Sequence, residues 1–357
     1  MIHGHGGNIR TLAEELGCKP SDIIDMSSNV NPLGPPPGLI GYLRENMELI
    51  NALPDADAAG ALHAFSRAHN LSPAQVLAGN GTTQFIYSLP QALGTGHALI
   101  VGPTYADYAD ACTMHCIPHD FLFASADQDF VPDLHQISHA AAKADTVFVC
   151  NPNNPTGTLI SFPALKKLCI SHPKTRFIID ESYLPFANHE TDHSMIHSGL
   201  ANVIVLNSMS KIFRIPGLRI GFLIADPDII TKMTRYALPW SVNAMALNAV
   251  IWLMEHPEIT DRFVKETQEF LSAETKIFFH TVQSLPHIRL FPTCTSFILA
   301  QLKGSRNAEQ ICAELAQEKI LIRNCANFRG LSERFVRISL KTSEINRMLA
   351  QRLGRPE

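Results

Sequence analysis

The stretch Thr146-Val-Phe-Val-Cys-Asn-Pro-Asn-Asn-Pro-Thr-Gly157, followed after the amphipathic segment Phe162–Ile170 by Arg176-Phe-Ile-Ile-Asp180, decides the fold. Its two short runs, Thr146–Cys150 and Arg176–Asp180, are apolar and rich in β-branched or aromatic residues, without the alternation of a half-solvated strand. A strand that is apolar on both faces needs cover on both faces, which helices on either side of a parallel sheet supply. Working outward, similar runs stand at His97–Val101, Val203–Ser208 and Ile220–Ala225, with helical patterns between them. The alternation predicts an α/β fold with a mostly parallel sheet.

After Pro239-Trp240 the pattern changes. A helical stretch runs from Val242 to about Phe279 with a potential break at Pro257. Strands are expected near Ile288–Phe291, Ser296–Gln301, Ile320–Arg323 and Arg334–Ser339, with helices at Ala308–Glu318 and at the end of the chain. Such an order suggests a smaller α+β domain. Residues 1–38 are rich in Gly, Asn and Pro and read as an arm. The expected organisation is an N-terminal arm, 1–38, joining the small domain; a large domain, 39–240; and a small C-terminal domain, 241–357.

At 357 residues, with 46% hydrophobic and 17% charged residues, the chain suits a well-packed enzyme-sized protein. A net charge of −4 gives no electrostatic reason to expect nucleic acid or an anionic membrane as partner. The eight cysteines are scattered and read as reduced thiols of a cytoplasmic protein. The first residues lack the basic start and apolar core of a signal peptide, so export is not expected. His3 and His5 have no Cys or acidic neighbour at ligand spacing, so a glycine-rich loop is the preferred reading and no metal is expected.

In sheets of this kind ligands gather at the carboxyl ends of the strands. Asn151–Gly157, Asp180–Tyr183 and Ser208–Lys211 stand there. A lysine amine whose surroundings lower its pKa can form a Schiff base with an aldehyde. Ser208, Ser210 and Arg219 carry the groups that hold a phosphate ester, although a lone Lys/Arg pair is more often solvated surface. Gly79-Asn-Gly81-Thr82-Thr-Gln84 precedes the amphipathic Phe85–Leu93 and would present backbone N–H groups at a helix N-terminus. A plain turn with a Thr cap is the competing reading. The motif lacks the lysine of a P-loop and the spacing of a dinucleotide fingerprint. Asp180 among apolar neighbours needs either a cap to serve or a cationic partner, and a protonated pyridine nitrogen is such a partner. Tyr105 offers a ring face for stacking. Together these groups suggest pyridoxal phosphate.

The ordered motifs Gly-Asn-Gly-Thr, Pro-Thr-Tyr, Asn-Pro-Asn-Asn-Pro-Thr-Gly, Asp-Glu-Ser-Tyr, Ser-Met-Ser-Lys and Gly-Leu-Arg-Ile-Gly resemble the class I/II aminotransferase family of fold type I pyridoxal-phosphate enzymes over nearly the whole chain. Within that family, His5-Gly-Gly-Asn-Ile-Arg10, Ser28-Asn-Val-Asn-Pro-Leu-Gly34, Pro54-Asp-Ala-Asp57, Pro239-Trp-Ser-Val-Asn-Ala244 and Ile320-Leu-Ile-Arg-Asn-Cys-Ala-Asn327 resemble a branch of cobalamin biosynthesis that decarboxylates a phosphorylated amino acid. Histidinol-phosphate-type aminotransferases share the cofactor motifs.

The resemblance implies pyridoxal 5′-phosphate bonded to Lys211, with Asp180 at its ring nitrogen and Asn154 and Tyr183 at its hydroxyl. Gly81, Thr82, Ser208, Ser210 and Arg219 would hold its phosphate, and Tyr105 would stack on the ring. Arg337 would take the substrate carboxylate, and His5, Gly6, Asn31 and Arg323 would line the end that grips the substrate phosphate. A homodimer is implied. Two departures stand out: Gln84 where an acidic residue is common, and Leu53 where relatives carry a tyrosine that reaches the neighbouring subunit's cofactor.

Overall fold

The computed structural model describes residues 6–188 and 193–355, so His3 and His5 lie outside the described residues. In chain order the strands are β1 (Ile24–Asp25), β2 (Val76–Gly79), β3 (Ala98–Gly102), β4 (His119–Phe123), β5 (Thr146–Cys150), β6 (Arg176–Asp180), β7 (Val203–Ser208), β8 (Gly221–Ile224), β9 (Ile288–Leu290), β10 (Phe297–Leu302), β11 (Ile320–Leu321), β12 (Arg323–Asn324) and β13 (Phe335–Ser339). Seven of them form one sheet in the order β2-β8-β7-β6-β5-β3-β4. β3 to β7 pair in parallel, and β8 runs antiparallel to both β2 and β7. The chain is thus α/β with a mostly parallel sheet, as the alternating runs predicted.

Successive residues of the central strands enter different cores. Leu99, Val101, Val147, Val149, Phe177 and Ile179 join one apolar cluster. Their neighbours Ala98, Ile100, Phe148, Cys150 and Ile178 join another. The first face is covered by helices including Ala59–Ala68, Phe162–Ser171 and Ala244–Glu255, the second by helices Gly81–Ala92, Asp107–Met114 and Pro227–Thr234. Residues on both faces leave water, each large side chain contributing about 1.5–3 kcal/mol. This two-sided burial is why the runs are uniformly apolar.

The long helical stretch is broken where Pro257 predicts: helices Ala244–Glu255 and Pro257–Val282 meet at His256. Helix Ala244–Glu255 packs on helices Ala59–Ala68 and Leu39–Glu45. The expected boundary at residue 240 therefore precedes a helix that covers the large sheet. Beyond it, β12-β13-β10-β9 make an antiparallel sheet. The N-terminal segment is more ordered than its composition suggests: Ile9–Glu15 is helical, and β1 pairs in parallel with β11. No helix among the described residues is long and apolar enough to cross a membrane.

Candidate active site

β7 ends at Ser208 and passes directly into the short helix Met209–Ile212, which carries Lys211 just beyond the sheet edge. The side chain is partly exposed, into two adjoining cavities that it lines. Burial, then the guanidiniums of Arg219 and Arg337, lower its pKa from 10.5 to about 8, while Asp180 opposes the shift.

The smaller cavity, about 150 Å³, is bounded on one side by Gly81, Thr82, Ser208, Ser210 and Arg219. Helix Gly81–Ala92 begins there, and its first N–H groups are those that no carbonyl of the helix can satisfy. Gly81 has φ +71°, and a Cβ on it would stand 2.5 Å from Nη2 of Arg219. A glycine is needed for both reasons. A Cβ added to Gly221 would approach the Thr82 nitrogen to 2.7 Å, so the helix start sits tightly against β8. Gln84 Oε1 accepts the N–H of Asn80 at 2.7 Å, a task a carboxylate oxygen would perform equally.

Asp180 closes the opposite end. Burial raises its pKa; the Ser182 side chain and N–H, the latter at 2.9 Å on Oδ1, the Tyr108 hydroxyl at 2.8 Å on Oδ2, and the charge of Lys211 offset this in part. Tyr108 is fully buried and stacks on Phe148, with ring centroids 5.2 Å apart. Its local sequence assigns it no role. Tyr105 stands three residues before it but outside helix Asp107–Met114, so only the folded arrangement sets the two rings together. Tyr105 lines both cavities and meets the Tyr108 ring edge-on.

The larger cavity, about 240 Å³, lies above Lys211 towards the small sheet. Arg337 is buried; Nη1 donates to Asn154 Oδ1 and Nη2 to Ser27 O at 2.8 Å, while its Nε has no hydrogen-bond partner. Burial lowers its pKa. Arg323, directly opposite Arg337 in the β12–β13 register, lines the same cavity. Its Nη2 donates to Asn327 Oδ1 at 2.7 Å, and its guanidinium lies over the Phe328 ring. Tyr183, whose pKa burial pushes up to about 12, accepts from Asn29 Nδ2 at 3.3 Å.

Most of the residues singled out in the sequence are brought together: Lys211, Asp180, Tyr183, Asn154, Tyr105 and the group around Gly81 line one or both cavities, and Gly6, Arg323 and Arg337 line the larger. Asn31 is not among them. Its Nδ2 donates to Ile212 O and Thr267 Oγ1, both at 2.8 Å, and its Oδ1 accepts the Leu33 N–H at 2.9 Å. With its amide spent on the protein and no surface exposed, Asn31 fastens the arm to the Lys211 helix instead of facing a ligand. Asn29, two residues earlier, faces the cavity in its place. Ser27, Asn327 and Phe328 also line it; Asn327 ends the stretch Ile320–Asn327 that carries the resemblance, whereas no local pattern marks Ser27 or Phe328.

A sequence model of the aminotransferase class I and II family matches residues 21–353. The threonine-phosphate decarboxylase of Salmonella typhimurium is 32% identical over 354 residues, covering 97% of this chain and 94% of that protein. The crystal structure of L-threonine-O-3-phosphate decarboxylase from Porphyromonas gingivalis superposes with a TM-score of 0.82 at 30% identity, covering 93% of this chain and 98% of the other. The histidinol-phosphate aminotransferase structure from Clostridium acetobutylicum gives 0.84 at 26% identity, with the same coverage. A buried strand-end carboxylate, an amine of lowered pKa and a glycine-lined helix start converge as enzymes of that class require, and the chain belongs to the aminotransferase class I and II family.

Proposed function

We propose that this enzyme decarboxylates L-threonine O-3-phosphate to (R)-1-aminopropan-2-yl phosphate, for use in cobalamin biosynthesis. The observation that carries the reading is the pair Arg323 and Arg337, side by side in the cavity that Lys211 enters. A phosphorylated amino acid carries two anions, and guanidinium forks suit both carboxylate and phosphate.

The residues fit pyridoxal 5′-phosphate, the cofactor of the family. Gly81, Thr82, Ser208, Ser210 and Arg219 would hold its phosphate, and Asp180 its ring nitrogen. Asn154 and Tyr183 would contact its hydroxyl, and Tyr105 would stack on its ring. When bound it supplies an aldehyde that condenses with amines and a protonated ring that accepts the electron pair left at Cα. Asp180, kept in place by Tyr108 and Ser182, holds a negative charge where that ring is positive. Arg337 takes the substrate carboxylate and Arg323 the phosphate. Which bond at Cα breaks is an orientation effect, and gripping the substrate at both anionic ends sets it. As CO2 leaves, a proton must reach Cα; Lys211 Nζ, with a pKa of about 8, is poised to hold and deliver it near neutral pH.

An aminotransferase acting on histidinol phosphate or a related substrate is the second reading, favoured by the shared cofactor motifs; serine O-phosphate is a close substrate variant. The test is to offer threonine phosphate and serine phosphate without any 2-oxo acid. Turnover with CO2 release is expected, with threonine phosphate preferred by about 10–200-fold for the one methyl group. A strict requirement for 2-oxoglutarate would support the aminotransferase.

A homodimer belongs to the same proposal. Leu53 is 78% exposed and Leu238 70%, and the Trp240 N–H donates to Ala56 O at 3.0 Å, tying their two stretches together. Exposed apolar side chains on joined stretches suit a protein interface. Sedimentation should show a dimer, and Leu53→Asp with Leu238→Asp should shift it to monomer; a wild-type monomer would contradict this.

A further inference from the structure

Past Ser339 the chain of β13 runs on to Lys341. Val336, Ile338 and Leu340 enter the main core, and the alternate residues Arg337, Ser339 and Lys341 turn the other way, towards the N-terminal arm. Each bonds a different residue of that arm. Arg337 Nη2 donates to Ser27 O at 2.8 Å, Ser339 Oγ to Asn29 Oδ1 at 2.7 Å, and Lys341 Nζ to Ser28 O at 3.2 Å. Ser27, Ser28 and Asn29 are walls of the larger cavity. Lys341 is buried behind them and does not line it.

The strap is braced on its other sides as well. Asp25 Oδ1 accepts from the Ser27 N–H at 2.9 Å, the Ser27 hydroxyl at 2.7 Å and the Ser28 N–H at 3.1 Å. Ser27 Oγ accepts the Gly7 N–H at 2.8 Å, which ties in the cavity residue Gly6. Arg214 Nη1 donates to Asn31 O and Pro32 O at 3.2 and 3.3 Å. Lys341, Arg337 and Arg214 are thus set around the strap, with Asp25 as the carboxylate near Lys341 and Arg337. Burial pushes the Lys341 ammonium down to about 8; Asp25 opposes this, and Arg214 and Arg337 add to it. An anion entering the cavity brings the negative charge that this cluster lacks.

We propose that Lys341 is a positioning residue for substrate capture: its ammonium, set behind Ser28 and near Asp25, holds the Ser27–Asn29 strap against the anionic substrate without touching the substrate itself. The proposal rests on the reading that the substrate is a phosphorylated amino acid. Because a bound anion favours the charged ammonium, capture is strongest below pH 8 and weakens as Lys341 loses its proton. The charge, and not only the volume of the side chain, is therefore required.

The experiment compares holoenzyme of wild type, Lys341→Met and Lys341→Arg with threonine phosphate from pH about 6.5 to 9.5. Lys341→Met should raise KM about tenfold at neutral pH with kcat within about twofold, and should remove part of the alkaline rise in KM. Lys341→Arg, charged throughout, should restore a low KM and keep it low at high pH. In the apoprotein, hydrogen exchange at residues 26–29 should be faster in Lys341→Met and near wild type in Lys341→Arg. An unchanged KM in Lys341→Met, or equal increases in the Met and Arg variants, would overturn the proposal. If the wild type turns over no phosphorylated amino acid, the functional reading fails instead. The exchange comparison still decides the strap's dependence on Lys341: faster exchange in the Met variant alone supports it, and equal exchange overturns it.

Discussion

Arg323 and Arg337 are direct cross-strand partners on β12 and β13, and both guanidiniums line the cavity that Lys211 enters. Like charges opposite one another weaken a sheet. Burial lowers the pKa of both groups, and each is lowered further or held by its neighbours: Arg323 by the charge of Arg337, and Arg337 against it by Tyr183. Each rests over an aromatic ring, Phe328 for Arg323 and Phe297 for Arg337, both 5.3 Å from the centroid. The arrangement costs stability and is useful to a site that binds anions.

Arg337→Ala should therefore cost kcat/KM about 2–5 kcal/mol, roughly 30- to 5,000-fold, because Asn154 Oδ1 and the Ser27 carbonyl lose their donors and, on the proposed reading, so does the substrate carboxylate. Arg337→Lys should recover little, since two guanidinium nitrogens serve two different acceptors. Arg323→Gln should act mainly on KM. Removing the repulsion should leave the unfolding midpoint of its apoprotein at or above that of wild type. Steady-state kinetics and thermal melts check each point.

Tyr108→Phe keeps the ring on Phe148 and deletes the hydroxyl that donates to Asp180. The Asp180 pKa, already raised by burial, should rise further. A carboxylate must be ionised to face a ring cation, so activity should fall at a higher pH on the acid side than in wild type. Cofactor affinity should drop by about 1–2 kcal/mol, roughly 5- to 30-fold. Cofactor titration and a kcat–pH profile measure the two effects.

Lys211 makes a prediction about the apoprotein. Its folded-state pKa of about 8 lies below the ordinary 10.5, so the charged form is penalised on folding. Below pH 8 both states are charged and the penalty is complete; between 8 and 10.5 the folded state sheds its proton first and stability recovers. Lys211→Met should therefore make the apoprotein more stable at pH about 7 by on the order of 1–3 kcal/mol, with the gap closing as pH approaches 10.5. Denaturant melts at several pH values would show it. The same substitution should abolish covalent cofactor attachment, read from the absorbance spectrum.

Legibility in the sequence followed burial. β5, β6 and β7 coincide with the runs read from the residues because central strands covered on both faces must be continuously apolar. β2, Val-Leu-Ala-Gly, is too short and weakly β-forming to announce itself, and β4, His-Asp-Phe-Leu-Phe, is a half-solvated edge strand. The pairing of Ile24 with Ile320 joins distant parts of the chain and leaves no local pattern. In the site, residue types that the chemistry demands, Lys211, Asp180 and Arg219, were legible. The choice between Asn29 and Asn31 was not, because only the register of the arm on β13 decides which amide meets the cavity and which is spent on Ile212 and Thr267. Tyr108 was hidden for a similar reason: its hydroxyl matters only once helix Asp107–Met114 lies beside the end of β6.

The fate of the carboxylate separates decarboxylation from transamination. Holoenzyme incubated with threonine phosphate labelled at the carboxyl carbon, with no 2-oxo acid present, should release labelled CO2 in step with aminopropanol phosphate. Label retained in a keto acid, with no CO2, would contradict the account.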